Sequence, residues 1–219
     1  MPQPPKAPPE LLSICSTWAD DLGRLTARED KIAYFKKMLP ALLLNQPLIS
    51  SILKKISREA AYPYPSRGTL FDNELLLYLD KRRRFSLRMY LHGKGEYTPI
   101  HDHSSWGVLG NASGKMKVIK YRREDDGLKE GYARLKEKER ITFHSGQTDT
   151  TFPLDDGIHQ VGNPTDKTLI VINVYGTPLR RLYINQFDAE NSRVVKLFPS
   201  RLKKKMLATE TLKAMKSGI

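Results

Sequence analysis

Gly95-Glu96-Tyr97-Thr98-Pro99-Ile100-His101-Asp102-His103-Ser104-Ser105-Trp106-Gly107-Val108-Leu109-Gly110-Asn111-Ala112-Ser113-Gly114 is the stretch of this chain whose interpretation decides the fold. At its centre stands His101-Asp102-His103. Residues i and i+2 of a strand project from the same face, so both imidazoles can reach one metal ion while Asp102 points away. Taken alone, such a pair is more often two unrelated core or surface histidines, and its surroundings must decide.

The surroundings are those of an antiparallel β body. After Tyr62-Pro63-Tyr64-Pro65 the sequence breaks into short apolar or alternating runs separated by Gly, Asp and Asn. Strands are expected over 74–79, 85–91, 106–109, 116–121, 133–135, 140–143, 168–175 and 182–187, enough to close a barrel. Lys81-Arg82-Arg83-Arg84 falls between two apolar segments and marks a hairpin turn. Before the barrel the periodicity is helical. Leu11, Cys15, Trp18, Leu22 and Leu25 recur at alternating four- and three-residue steps. Thr26-Ala27-Arg28-Glu29 has the form of a capping box opening a second helix through Ile32, Phe35 and Leu39, to be ended or kinked by Pro40. A third helix is expected from about Pro47. Ser200 is placed to cap a last, basic helix with Leu202 and Met206 on its buried side. The expected organisation is a disordered leader over 1–10, a helical segment over 11–61 packed on the barrel, a mainly β barrel over 62–190, and a basic helix or tail over 191–219.

Composition narrows the function classes. The 219 residues carry a net charge of +13, and residues 193–219 hold eight basic side chains against one acidic one. Over half of the excess is therefore a C-terminal feature, which reads as solvated surface or as a polyanion-binding tail. No zinc-finger spacing and no aromatic RNA-binding signature accompanies it. A single cysteine, Cys15, excludes an internal disulfide. No apolar run reaches the roughly 18 residues of a membrane-spanning helix, and a cytoplasmic protein with no membrane partner is expected.

There are only five histidines: His92, His101, His103, His144 and His159. The first motif, Gly95-x5-His101-x-His103-x3-Gly107-x6-Gly114, and a later one, Gly157-Ile158-His159-x3-Asn163-Pro164, resemble the two sequence motifs of the cupin superfamily. Gly107 stands where the first motif usually has glutamate. In the second, Pro153 is one residue early and Asp156 replaces a glycine. The resemblance implies a double-stranded β-helix, jelly-roll-like barrel in which His159 completes a three-histidine face with His101 and His103. His92 and His144 match no motif position.

Within cupins the likeness narrows to the thiol dioxygenases, the group of cysteine dioxygenase and 3-mercaptopropionate dioxygenase. It is carried by Pro99 to Gly110, by Gly157-Ile158-His159-Gln160-Val161-Gly162-Asn163, and by Val174-Tyr175-Gly176 with Arg180-Arg181. It spans roughly Phe71 to Tyr183. That resemblance implies one Fe(II) per chain on His101, His103 and His159, a small thiol and O2 as partners, and Tyr175 directed at them as the catalytic tyrosine. Trp106 is expected to wall the site. With glycine at 107, the thioether crosslink that animal cysteine dioxygenases form to this tyrosine cannot be made. Two positions depart from the family. Val171 and Asn173 replace the serine and histidine of a relay leading to the tyrosine. Glu74 or Leu75 occupies the place of the basic or amide anchor for the substrate carboxylate. Arg67, Arg88, Arg180 and Arg181 are the candidate replacements, and Glu74 facing the cavity would instead suit an amine-bearing thiol such as cysteamine. Two rivals stay open: a metal-binding cupin with other chemistry (isomerase, lyase or another oxygenase), and a non-catalytic barrel that senses a ligand or binds a polyanion.

Overall fold

The computed structural model describes residues 7–58 and 70–216. Three helices come first. α1 (Pro9–Leu22) buries Leu11, Cys15, Trp18 and Leu22, the stripe legible in the sequence, and opens on a proline, whose missing N–H would have had no intrahelical partner there. It begins inside the expected leader, and Ala7 ahead of it is already buried. α2 (Arg28–Leu43) departs from expectation at both ends. Thr26 makes no capping box. Ala27 holds the cap position without a side-chain bond, while Glu29 pairs with its neighbour Arg28. Pro40 does not stop the helix, because Leu39, Leu42 and Leu43 are buried on the sheet and their transfer from water outweighs one lost backbone bond. α3 (Gln46–Ser57) is capped by Asn45, whose side-chain oxygen accepts from the Leu48 amide at 3.1 Å.

Eleven strands follow among the described residues: β1 (Glu74–Leu79), β2 (Phe85–His92), β3 (Ile100–His101), β4 (Gly107–Ser113), β5 (Met116–Arg123), β6 (Leu135–Phe143), β7 (Thr148–Thr151), β8 (His159–Gly162), β9 (Leu169–Gly176), β10 (Ile184–Asp188) and β11 (Arg193–Leu197). They form two antiparallel sheets, ordered β1-β2-β9-β4-β7 and β11-β10-β3-β8-β5-β6. From β2 onward the chain crosses between sheets, to β3, back to β4, over to β5 and β6, back to β7, over to β8, back to β9 and over to β10. That alternation is a double-stranded β-helix, the cupin fold.

Three differences from the expected strands have physical causes. Of the run at 133–135 only Leu135 is strand, and it joins the run at 140–143 in one strand, β6, whose charged middle is exposed and held by pairing with β5 rather than by burial. β3, β7 and β8 are short and polar, and carry no apolar alternation to betray them. β11 lies in the expected tail, so the sheet runs past 190 to Leu197; α4 (Ser200–Lys216) then starts at the expected serine, with Leu202 and Met206 half-buried.

The period of two sorts the β2 and β9 side chains. Phe85, Leu87 and Met89 of β2, with Ile170, Ile172 and Val174 of β9, face the helices in one apolar core. Gly110 of β4 admits α2 to this face: a Cβ there would stand 2.7 Å from Leu43. The opposite phase, Ser86, Arg88 and Tyr90 of β2 and Val171, Asn173 and Tyr175 of β9, turns into the barrel. That interior holds the site.

Candidate metal centre

β3 and β8 pair with His101 directly opposite His159, and His103 follows two residues after His101. All three are buried, and they offer ligand atoms within 4.8 Å of one another. The Nε2 atoms of His103 and His159 stand 3.1 Å apart. Two nitrogens bound at right angles about 2.1 Å from one ion would be about 3.0 Å apart, so the donor set fits a metal ion. The His101 Nδ1–H donates to the Pro99 carbonyl at 2.9 Å, which leaves its Nε2 as the ligand atom.

Electrostatics agree with that role. Burial pushes all three imidazoles below the usual histidine range, and His103 and His159 well below it. Mutual repulsion adds to the effect at His103, as do His101 and Lys120 at His159. The neutral imidazole is the form that ligates. Asp102 points away, as strand geometry requires. It is fully buried and receives both Nη atoms of Arg181 at 2.9 and 2.6 Å, together with the Asn185 amide and side chain. This locks the ligand loop to β10 and to the loop after β9.

A cavity of about 310 Å³ opens beside the histidines, bordered by Glu74, Arg83, Ser86, Arg88, Ser104 and Tyr175 among others. The Tyr175 ring stacks on His103, with centroids 5.6 Å apart. Its oxygen accepts from Asn173 Nδ2 at 3.0 Å, and its hydroxyl neighbours that of Tyr90. Asn173, two residues before the tyrosine on the same strand face, thus holds its hydroxyl. Burial raises the Tyr175 pKa, so the phenol keeps its proton. Gly107 is fitted to this tyrosine: a Cβ would lie 2.7 Å from the ring.

The remaining candidates are distributed differently from expectation. Glu74 does line the cavity, yet it is no amine receptor, because its carboxylate pairs with Arg88 and accepts from the Leu70 and Phe71 amides. Arg88 enters the cavity and keeps further N–H donors for a ligand. Arg181 is consumed by Asp102, and Arg180 is exposed. Arg67 lies outside the described residues. Trp106 does not wall the site; it projects to the helical face, packs on Phe35 with centroids 6.1 Å apart, and covers Gly176. His92 is buried beside Asn73, and His144 sits on an exposed turn. Tyr90 and Ser86 were missed at the sequence level, although the alternation of β2 puts both in phase with Arg88. Asn185 gave no local signal at all, since its partner is 83 residues away.

The fold and the buried histidine triad define a cupin-type barrel able to hold a metal ion. No protein-family model matches the chain. Among solved structures, it is similar to a Cupin 2 conserved barrel domain protein from Salinispora arenicola (18% identity, 51% of this chain and 82% of that one, TM-score 0.37). It is likewise similar to an RmlC-like cupin with a double-stranded β-helix fold from Methanocaldococcus jannaschii (15%, 52% and 86%, TM-score 0.36) and to the cupin domain of an XRE family transcriptional regulator from Enterobacter cloacae (15%, 48% and 95%, TM-score 0.34).

Proposed function

We propose that the protein is a non-haem Fe(II)-dependent dioxygenase that converts a thiol and O2 into the sulfinate, both oxygen atoms ending on sulfur. The observation that carries this is a buried ligand set made of three neutral imidazoles, with glycine at 107 where a carboxylate would add a fourth ligand. Such a set suits Fe(II), leaves coordination positions for substrate, and brings no negative charge to oppose an incoming thiolate. The iron would supply the site at which thiolate and oxygen meet.

The chain's own residues account for the rest. Tyr175 lines the cavity and its oxygen accepts from Asn173, so its hydroxyl proton, directed away from that amide, can donate to a reactant in the cavity. Arg88, steadied by Glu74, presents donors suited to a carboxylate or carbonyl on the substrate. Amine-bearing thiols are disfavoured, because Glu74, the only carboxylate lining that wall among the described residues, is already paired with Arg88. Asn173 does not titrate near neutral pH, which favours a second reading, a metal-dependent cupin reaction that needs no proton relay through Tyr175.

Elemental analysis of protein purified without oxygen, coupled to oxygen uptake with cysteine, cysteamine, 3-mercaptopropionate and longer mercapto acids, tests both. Near-stoichiometric iron with thiol-dependent uptake is the expected result. Iron without uptake on any thiol supports the second reading. A sample reconstituted with iron that retains none would remove the metal centre itself.

A further inference from the structure

The basic run Lys81-Arg82-Arg83-Arg84 has divided duties. Lys81 and Arg82 are exposed on the β1–β2 turn and border no part of the cavity. Arg84 turns toward the helices and gives two bonds to Asp80 through Nε and Nη2, with a further contact to the Ala19 carbonyl. Arg83 is exposed as well, but alone of the four it borders the cavity lined by His101 and His103, and among the described residues no acid pairs with it. Its backbone has φ of 57°, a conformation glycine or asparagine adopts more readily than arginine. That backbone is pinned twice: its amide donates to the Asp80 carbonyl at 2.8 Å, and its carbonyl accepts from Thr177 Oγ1 at 3.2 Å.

The cavity's length and volume give that placement a use. The Tyr175 hydroxyl lies beside Asn173, in the strand row of Arg88. One inward step along β2 reaches Ser86 and the turn follows, a path on the order of 10 Å. The volume of about 310 Å³ falls at the start of the range of roughly 300 to 1,000 Å³ in which pockets enclose drug-sized ligands. A mercapto acid of three carbons leaves most of this space and all of Arg83 unused.

We propose that Arg83 is a specificity-determining residue, and that the substrate is an elongated thiol carrying an anionic group, a carboxylate by preference, at the end remote from sulfur. This rests on the thiol dioxygenase reading for its reactive end only. Arg83 and Arg88 then divide recognition: Arg88 serves polar atoms near the sulfur, and Arg83 closes on the far charge.

Binding measured by calorimetry on iron-loaded protein under nitrogen tests the inference apart from turnover. The probes are 8-mercaptooctanoate, its neutral counterpart 8-mercaptooctanol, and 3-mercaptopropionate. The long acid is expected to bind at least tenfold tighter than both others, and its advantage over the alcohol should collapse toward unity in Arg83→Gln. Arg83→Gly, which suits the left-handed backbone, should show the same collapse with no loss of thermal stability, separating recognition from folding. Equal binding of acid and alcohol, an advantage that survives in both variants, or a short acid that binds as tightly as the long one overturns the inference while leaving the dioxygenase reading standing. Arg83-dependent binding of the long acid without oxygen uptake on any thiol does the reverse: the anionic recognition holds and the dioxygenase reading falls.

Discussion

Gly107 faces Tyr175 so closely that the two positions are read together. A methyl group at 107 would meet the tyrosine ring at 2.7 Å and Thr151 Cγ2 at 3.1 Å. The ring must swing away, and its bond to Asn173 and its contact with Tyr90 go with it. Gly107→Ala is therefore expected to cost about 1 to 3 kcal/mol in urea denaturation, and to lower thiol-dependent oxygen uptake about as much as Tyr175→Phe does. An alanine variant of wild-type stability would show that the tyrosine is not held where the structure puts it. The histidines make a second argument at this scale. Buried neutral, they have folded pKa values below the unfolded value of about 6.5. Below that pH the unfolded chain binds protons that the folded chain refuses, so the metal-free protein keeps its full stability above about pH 6.5 and loses it as pH falls. The slope can reach about 1.4 kcal/mol per pH unit for each histidine. Thermal denaturation from pH 8 to 5 should show it, with His103→Asn giving a shallower curve; identical curves would mean that these imidazoles are not buried neutral.

At the scale of elements, the β1–β2 hairpin is tied to α1 through one side chain. Asp80 is buried, and the Arg84 that neutralises it also touches the carbonyl at the end of α1. Arg84→Ala would leave a buried carboxylate with its backbone bond alone, at a cost of about 2 to 4 kcal/mol, discounted for the arginine's partial exposure. Asp80→Asn with Arg84→Ala should recover part of that loss, and a double variant no better than the single would sink the clamp. The run 81–84 thus announced a turn in the sequence, but its division among solvent, cavity and helix is a matter of three-dimensional neighbours. The same boundary separates what was legible elsewhere. β1, β2 and β9 are written in apolar residues and sort themselves by burial. β7 (Thr-Asp-Thr-Thr) and β8 (His-Gln-Val-Gly) are strands because they complete the two sheets, and no local pattern records that. His101 and His103 were legible as candidate ligands because spacing on a strand is a local property, whereas His159, 56 residues on, was legible only through the second motif's resemblance. Which way Trp106 points was not: glycines at 110 and 176 make the helical side of this sheet hospitable to bulk, and Gly176 lies 70 residues further along the chain.

For the whole molecule, the two sheets and the helical layer meet around a centre built from strands of only one sheet. His101 and His159 belong to β3 and β8, while Tyr175 and Arg88 reach across from the opposite sheet. An ion bound to the histidines would therefore brace one sheet directly, and the other only through what lies in the cavity between them. Ligation adds stability to the folded state alone, by about 2.7 kcal/mol at free metal one hundredfold above Kd. At roughly 2 to 4 °C per kcal/mol for a chain of this size, stripping the metal with a chelator should lower the melting temperature by about 5 to 10 °C. His159→Ala removes a candidate ligand from the start of β8 without touching the helical core. Its melting temperature should not respond to chelator or added Fe(II), whereas the tyrosine variant Tyr175→Phe, intact in all three ligands, should respond as the wild type does. A chelator effect that persists in His159→Ala would place the stabilising ion somewhere other than this triad.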